Sequence, residues 1–278
     1  MFRLKIGYVL TGIATGLVLL FSYFTSLPDE KLRIVFCDVG QGDGAYIRFP
    51  DGRDMVVDGG PNDKILGCLG RYMPFWDRHI DIVVMTHPQK DHMQGLISVF
   101  ERYDVDYFVR SNVENTTEGY KELQNVVQSK NIPQKFVTTG ELIDIDQTKL
   151  SVAWPSPDVL GATTDINDAS VVFFLRYGSF DALFTGDATL RQGFEWQAGD
   201  AIEVLKVPHH GSKTGMNEAF VDSVRPSLAV ISVGKNNTYG HPTQEILEML
   251  EARAIRVMRT DQEGDIEVVS DGKNFEVN

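Results

Sequence analysis

The sequence predicts an α+β protein, a two-sheet αββα sandwich preceded by one N-terminal transmembrane helix. Three observations predict it: strand-like apolar runs cluster at the start of each half of the chain, helical patterns follow them, and an uncharged apolar run opens the sequence. Periodicity alone does not separate this sandwich from a doubly wound sheet. We expect an anchor with a short linker over residues 1–31 and one folded domain over residues 32–278.

The first element is the run of residues 6–27, which contains no charged side chain. At about 1.5 Å per residue it would span about 33 Å, enough for the apolar core of a bilayer. Arg3 and Lys5 precede the run, whereas Asp29 and Glu30 follow it. The positive-inside rule then predicts a single-pass protein of the cell membrane whose folded domain lies on the outer side. A cleaved signal peptide and a buried core helix are the alternatives, although no clear Ala-x-Ala site follows the run.

Apolar runs bounded by turn residues predict the strands, which fall into two groups. In the first half the predicted strands are residues 32–38, 45–49, 55–57, 82–85 and 105–109. In the second half they are residues 149–154, 170–177, 182–185, 201–207, 228–233 and 253–258. Apolar residues at helical spacing predict helices over residues 62–72, 95–103, 118–131 and 243–251.

Composition limits the classes of function. The chain has 278 residues, of which 42% are hydrophobic and 23% charged, and this composition excludes wholesale disorder. A formal net charge of −13 excludes nonspecific nucleic-acid binding by the surface as a whole, so a polyanionic substrate would require a local basic patch or a metal. Cys37 and Cys68 are too few for a disulfide framework, and Cys37, in an apolar strand, is expected to be a small core residue.

The most informative segment is residues 86–92, Thr-His-Pro-Gln-Lys-Asp-His, directly after the apolar run 82–85. A loop at the carboxyl end of a strand is where an open α/β sheet holds its ligand. His87, Asp91 and His92 can converge on one point from this loop, and a cation is the common reason to gather such side chains.

Four further groups stand at predicted strand ends: Asp58, Asp187, the pair His209–His210, and His241. Each alone is more often a structural residue, since an aspartate after a strand usually forms a turn or a cap. Strands of one sheet, however, place their carboxyl ends along one edge. Their joint placement therefore predicts a metal site, and with it a metal-dependent hydrolase.

These segments resemble the metallo-β-lactamase fold, and specifically the soluble hydrolase domain of ComEC-type DNA-uptake proteins. The resemblance covers residues 32–275 and depends on six ordered blocks, residues 36–43, 57–60, 86–95, 184–187, 206–212 and 233–242. It implies an αββα sandwich with a site for two divalent metal ions, Mn²⁺ or Zn²⁺, at its mouth.

The resemblance also implies the ligands. One metal position would be formed by Asp91, His92, Asp187 and His241. The other would be formed by His87, Gln89, the bridging Asp187 and either Asn167 or Asp168. The chain departs from the family pattern here, because Gln89 replaces a charged or imidazole ligand and no histidine precedes the strand of residues 171–175. A neutral amide supplies no charge, so this second site is expected to be weak or selective for Mn²⁺.

Catalytic and supporting roles follow from the same blocks. Asp91 would take a proton from the attacking water, and His210, or else His209, would donate one to the leaving oxygen. The side chains expected to bind a phosphate are Ser212, Lys213, Lys235 and Asn237, although the lysines could equally be solvated surface charges. Asp43 and Asp58 are expected to support the metal ligands from behind.

The expected function is therefore that of a membrane-anchored, metal-dependent phosphodiesterase or nuclease, which acts on DNA in connection with DNA uptake. One membrane segment does not make a pore, so a separate channel protein is an expected partner. The enzyme alternative is hydrolysis of an ester, lactone or β-lactam, because a fold does not decide a substrate. The other alternative is a catalytically inactive module that binds a membrane complex.

Overall fold

Two β-sheets and the helices outside them form an αββα sandwich in the computed structural model, which describes residues 6–25, 27–189 and 201–278. The helices are α1 (Ile6–Thr25), α2 (Lys64–Tyr72), α3 (Lys90–Arg102), α4 (Glu118–Ser129), α5 (Pro157–Ala162), α6 (Glu218–Val224), α7 (Gln244–Glu251) and α8 (Thr260–Glu263). Short 3₁₀ turns lie at Ile166–Ala169 and Pro208–Gly211. The predicted fold class is confirmed.

The first sheet takes the strands of the first half of the chain and the last two strands, and the second sheet takes the strands between them. Those of the first half are β1 (Leu32–Phe36), β2 (Gly44–Arg48), β3 (Asp54–Gly59), β4 (His79–Met85), β5 (Asp104–Arg110) and β6 (Gln134–Phe136). Those of the second half are β7 (Leu142–Ile145), β8 (Thr148–Trp154), β9 (Val172–Tyr177), β10 (Phe180–Phe184), β11 (Val204–Lys206), β12 (Leu228–Ile231), β13 (Arg256–Arg259), β14 (Ile266–Ser270) and β15 (Phe275–Val277).

Each sheet contains a parallel half, and these halves position the site. The first sheet has the order β15-β14-β1-β2-β3-β4-β5-β6 and the second the order β13-β12-β11-β10-β9-β8-β7. Strands β3 to β6 run parallel because α2, α3 and α4 connect them as crossovers, and β10 to β13 are parallel as well. The carboxyl ends of both parallel halves lead into the loops that carry the predicted metal ligands.

Apolar side chains fill three layers. The central layer lies between the sheets, where the Phe184 ring stacks on Phe36 and Phe173 at centroid distances of 5.7 and 4.9 Å. One outer layer packs α2, α3 and α4 on the first sheet, and the other packs α6 and α7 on the second. Truncating a buried phenylalanine of this kind to alanine typically costs about 3–5 kcal/mol.

Two boundaries differ from the prediction in ways that affect the site. Helix α3 begins at Lys90 rather than at residue 95, so Asp91 and His92 belong to its first turn. The acidic Asp91 is favourable there because the amino end of a helix carries partial positive charge. Strand β11 is shorter than the predicted run of residues 201–207, and it ends at Lys206.

The prediction for Cys37 is incomplete. It is a buried core residue, as expected, but a disulfide joins it to Cys68 of α2. The end of β1 packs against α2 with a Cα–Cα distance of 5.9 Å between the two cysteines, which is within disulfide range.

Helix α1 is long and apolar enough to cross a membrane over Ile6–Tyr23, by length and composition. Most of its described side chains are exposed, which is unfavourable in water and favourable in lipid. Arg3 and Lys5, on which the predicted orientation depends, lie outside the described residues.

Candidate metal centre

A buried cluster of two carboxylates and two imidazoles lies where the two sheets' parallel halves end. Asp91 and His92 come from the first turn of α3, Asp187 follows β10, and His210 lies in the turn after β11. One ligand atom from each residue lies within 4.8 Å of the others. His92 Nε2 is 3.3 Å from Asp187 Oδ1, and His210 Nε2 is 3.4 Å from Asp187 Oδ2 and 3.5 Å from Asp91 Oδ2.

In both histidines of the cluster, one ring nitrogen donates a hydrogen bond and the other has no hydrogen-bond partner among the described residues. His92 Nδ1 donates to Asp58 Oδ2 over 2.8 Å, and His210 Nδ1 donates to the Ser232 carbonyl over 2.9 Å. Their Nε2 atoms, and that of His87, are buried and have no hydrogen-bond partner among the described residues. Buried nitrogens are rarely left unpaired, and a hydrogen bond at one nitrogen leaves the lone pair of the other available for a metal.

Charge at the cluster supports the same interpretation. Burial alone would lower the pKa of His92 and of His210, but Asp187 and nearby carboxylates hold both pKa values well above 6.5. Burial would raise the pKa of Asp187, but the two imidazoles hold it well below its ordinary value. Burial lowers the pKa of His87 to about 3, so this ring is neutral at pH 7. Protons thus balance the buried carboxylates, and a divalent cation could take their place.

The backbone of His209 and His210 decides which histidine joins the cluster. Their φ angles are 49° and 54°, in the left-handed region that costs a non-glycine residue about 1–2 kcal/mol. The turn is held by hydrogen bonds from His209 N to the Gly186 carbonyl, 3.1 Å, and from Ser212 N to the His209 carbonyl, 2.8 Å.

The turn gathers a group that differs from the predicted ligand set. Among the described residues His210 is grouped with Asp91, His92 and Asp187 and His241 is not, so the metal-binding role of His241 stays a prediction. The His241 ring instead lies 5.9 Å from that of His209, between centroids. Both rings have a buried Nδ1 without a partner among the described residues.

The residues predicted for the second metal are less closely gathered. Asn167 Oδ1 is buried and unpartnered within the described part of the chain, whereas the Asp168 carboxylate accepts hydrogen bonds from the hydroxyls of Thr163 and Thr189. Asn167 is therefore the better candidate of the two. Gln89 is half-buried at the residue before α3, and no hydrogen bond of its side chain is found within residues 27–189 and 201–278.

Asp43 and Asp58 both lie behind the cluster, as predicted. Asp58 accepts hydrogen bonds from Thr86 N, 2.8 Å, and Thr86 Oγ1, 2.7 Å, besides the one from His92. Asp43 Oδ1 lies 3.3 Å from His210 Nδ1, and its other oxygen lies 3.7 Å from His92 Nδ1. The roles assigned to these two aspartates stay predictions.

Sequence reasoning missed Lys206. This side chain is only 3% exposed, and its Nζ pairs with Asp43, donates to the Gly186 carbonyl over 3.1 Å and lies 3.9 Å from Asp187 Oδ1. A lysine at the end of an apolar strand was the available signal, because lysine is almost never fully buried without a partner.

The four predicted phosphate contacts are placed differently from one another. Lys213 and Lys235 are exposed, so their role stays a prediction. Ser212 is buried, and its hydroxyl lies 3.1 Å from Thr214 Oγ1. The amide of Asn237 donates to the His241 carbonyl, 2.8 Å, and accepts from His241 N, 3.1 Å, so it holds the His241 loop. Its predicted contact with a phosphate stays a prediction.

A cavity of about 550 Å³ adjoins the cluster, and its lining includes Trp154, Asn167, Thr189, His209 and Thr214. It is the size of a small-molecule binding site. The adjacent donor set, imidazole nitrogens and carboxylate oxygens, fits a divalent ion such as Zn²⁺ or Mn²⁺.

Comparisons with known proteins agree with this geometry. ComE operon protein 3 of Bacillus subtilis (strain 168) is 27% identical over 92% of this chain and 35% of its own length. Recombination protein 2 of Haemophilus influenzae is 27% identical over 88% of this chain and 30% of its own length. Competence protein ComA of Neisseria gonorrhoeae is 24% identical over 92% of this chain and 36% of its own length. The chain thus spans about a third of the length of these relatives.

Solved structures share the fold. The metallo-beta-lactamase fold protein YhfI from Bacillus subtilis has a TM-score of 0.61 at 11% identity, over 86% of this chain and 100% of its own. Zn(2+)-bound PqqB from Methylobacterium extorquens has a TM-score of 0.55 at 12% identity, over 81% of this chain and 97% of its own. The profile of the Metallo-beta-lactamase superfamily matches residues 37–235. The chain therefore belongs to the metallo-beta-lactamase superfamily of metal-dependent hydrolases and is related to competence proteins.

Proposed function

We propose that this protein is a membrane-anchored phosphodiesterase, dependent on divalent metal, that cleaves DNA on the outer side of the membrane in connection with DNA uptake. The observation that carries the proposal is the buried cluster of Asp91, His92, Asp187 and His210 with its unpartnered imidazole nitrogens. The similarity of the chain to competence proteins and to a recombination protein supports a DNA substrate.

The first metal ion would be held by Asp91, His92, Asp187 and His210. A second, weaker ion would share Asp187 and use His87, with Asn167 or Gln89 as oxygen donors. A divalent cation in such a site lowers the pKa of bound water from ~16 toward ~7 and stabilises negative charge on a phosphate.

The proton donor to the leaving oxygen is reassigned to His209. His210 Nε2 points at two carboxylates inside the cluster, whereas His209 lines the cavity where a substrate would lie. Burial lowers the pKa of His209; the negative charge of Asp187 has the next largest effect and opposes this, and the positive charge of His210 adds to the lowering. A phosphodiester bound in the cavity would bring negative charge and raise that pKa toward the range that suits a general acid. Asp91, partly exposed, would orient the water.

The anchor and the outer location have one support each. The apolar α1 is long enough to anchor residues 32–278 to the membrane, and the Cys37–Cys68 disulfide is of the kind that persists in oxidising compartments. The acidic surface would repel DNA, so we propose that Lys213 and Lys235 supply positive charge beside the site and that a separate channel protein passes the DNA onward.

The test uses the full chain, purified in detergent and loaded with Mn²⁺ or Zn²⁺. We expect hydrolysis of bis-p-nitrophenyl phosphate and of linear DNA, no hydrolysis of nitrocefin, and loss of both metal and activity in Asp187→Ala. Asp222→Asn is the control and should keep both, because Asp222 is an exposed aspartate of α6 that pairs with Arg253 and belongs to none of the groups of possible metal ligands among the described residues. Nitrocefin hydrolysis without phosphodiester cleavage would support the β-lactam alternative. A protein that binds no metal and cleaves neither substrate would support the inactive binding module.

A further inference from the structure

Two adjacent aromatic side chains are exposed on the loop of residues 73–78, which connects α2 to β4. Phe75 is 57% exposed and Trp76 is 43% exposed, and their rings meet edge to face at a centroid distance of 4.7 Å. Isolated apolar residues on a surface are ordinary, but two large rings side by side indicate a contact with something apolar. Tryptophan in particular is enriched where protein crosses the interface of a bilayer.

This aromatic loop is continuous with the end of α1. The Tyr23 ring of α1 lies 6.2 Å from the Trp76 ring, between centroids. A cavity of about 410 Å³ is lined by Ser22 and Leu27 on the anchor side and by Pro74, Phe75 and Trp76 on the domain side. A chain that leaves a membrane after Tyr23 therefore brings Phe75 and Trp76 to the depth of the lipid headgroups.

The charges beside the loop indicate which lipid feature is recognised. Arg33 pairs with Asp29, and Arg71 pairs with Asp265, so the charges of these two arginines are compensated. The exposed Arg78 of the loop itself donates to the Asp77 carbonyl and lies over the Tyr103 ring, so it is the basic residue that could add an attraction to anionic lipid. One arginine contributes little beside two aromatic rings, so the contact is expected to depend on the rings and to form on zwitterionic lipid as well.

We propose that Phe75 and Trp76 enter the headgroup region beside α1 and hold the folded domain upright, with the metal centre facing away from the membrane. This inference rests on the proposed membrane anchor. The aromatic loop precedes β4, whereas the loop of His87 to His92 follows it. Seven residues of β4 at about 3.3 Å each separate the two loops by about 20 Å, so the cavity opens toward the outside, where a DNA strand would approach.

The test places one tryptophan at each end of the domain. The chain has three tryptophans. Replacing Trp154 and Trp196 by phenylalanine leaves Trp76 alone. The matched control has Trp76 replaced as well and carries Tyr239→Trp, at a position 71% exposed and stacked on His241 at the mouth of the site. Both full-length chains are reconstituted into phosphatidylcholine nanodiscs.

Trp76 should be quenched by lipids with a doxyl group near the headgroup, and acrylamide should quench it at least about threefold less than the tryptophan at position 239. Without phosphatidylglycerol the difference should already be present, because the rings rather than Arg78 carry the contact. Equal acrylamide quenching at both positions, with α1 still resistant to carbonate extraction, would overturn the orientation and leave the anchor standing. Release of the chain by carbonate would instead refute the anchor itself.

A second label keeps the test independent of the tryptophan replacements. Cys37 and Cys68 are joined to each other, so a single introduced cysteine is the one free thiol. A nitroxide at Phe75→Cys should be more accessible to oxygen than to a water-soluble nickel complex, and a nitroxide at Tyr239→Cys should show the reverse. The same preference at both positions would refute the proposed orientation.

Discussion

Replacing Asp58 by asparagine is expected to weaken binding of the first metal ion about 10- to 100-fold, the usual effect of losing a group that orients a metal-binding histidine. Asp58 lies behind His92 and is fully buried, so it acts on the metal only through that ring. Its backbone has φ 57°, a left-handed conformation that asparagine adopts more readily than most residues. The substitution therefore changes the hydrogen bonds and little else.

The two oxygens of Asp58 accept from three donors, and an amide cannot serve them all. If the amide oxygen keeps its bond with Thr86 N, the amide nitrogen faces His92 Nδ1. The ring must then place its proton on Nε2, the nitrogen that would bind the metal. If the amide turns over, Thr86 N is buried without a partner, which costs about 1–3 kcal/mol. A 10- to 100-fold loss of affinity is about 1.4–2.7 kcal/mol, which is the same range.

Calorimetric titration with Zn²⁺ and with Mn²⁺ measures the effect. The matched control is Asp271→Asn, because Asp271 also accepts a backbone hydrogen bond, from Lys273 N over 2.9 Å, but belongs to none of the groups of possible metal ligands among the described residues. The control should bind metal within about twofold of the wild type, since its change leaves the ligands untouched. If folded Asp58→Asn binds as tightly as the wild type, the argument that Asp58 sets the proton position on His92 is wrong.

Three further outcomes are expected. Gln89→His should tighten the weaker of two unequal metal sites in a calorimetric titration, because an imidazole is a better donor than an amide for Zn²⁺; two equal, tight sites in the wild type would contradict this. His210→Ala should lose metal as fully as Asp187→Ala. His209→Ala should keep metal, and its rate of DNA hydrolysis should fall by a factor of about 10²–10⁴. The fall should be smaller for a substrate with a p-nitrophenolate leaving group, which needs no protonation. Burial raises the pKa of Asp54 to about 6, so its contribution to stability is present below pH ~4 and is lost as pH rises through ~6. The unfolding free energy of the wild type relative to Asp54→Asn, from urea titrations at pH 3 and pH 7, should therefore fall by about 3 kcal/mol; a constant difference would refute the shift.

The fold could be predicted where hydrophobic pattern decides structure. The buried strands β3 and β4 and the amphipathic α4 were predicted within a few residues, because their apolar side chains follow the period of the element. Strand β6, Gln134–Phe136, was missed because all three of its side chains are exposed at a sheet edge and carry no apolar pattern. Its pairing with β5 comes from the tertiary structure instead.

The residues of the site could be predicted where they lie in loops that follow predicted strands. Asp91, His92 and Asp187 were predicted to lie together because they stand in loops that follow strand-like runs, and the structure groups them. The grouping of His210 with them was not predictable, since it depends on a left-handed backbone at two consecutive non-glycine residues. No local sequence signal marks such a turn, and hydrogen bonds to distant segments such as the one that carries Gly186 hold it.

The charge at the centre explains why these residues together would favour a divalent cation. Four carboxylates, Asp43, Asp58, Asp91 and Asp187, lie within one network, and Lys206 is the one permanent positive charge that pairs with them among the described residues. Four negative charges less one leave three, which a protein interior does not tolerate without compensation. One divalent ion reduces the excess to one negative charge. Protons on the two histidines can do the same, but only while the pH stays below the pKa values of their rings. Lys206 lies closer to Asp43 than to Asp187, so it neutralises chiefly the carboxylate behind the cluster and, in the proposed site, leaves Asp91 and Asp187 to bind metal.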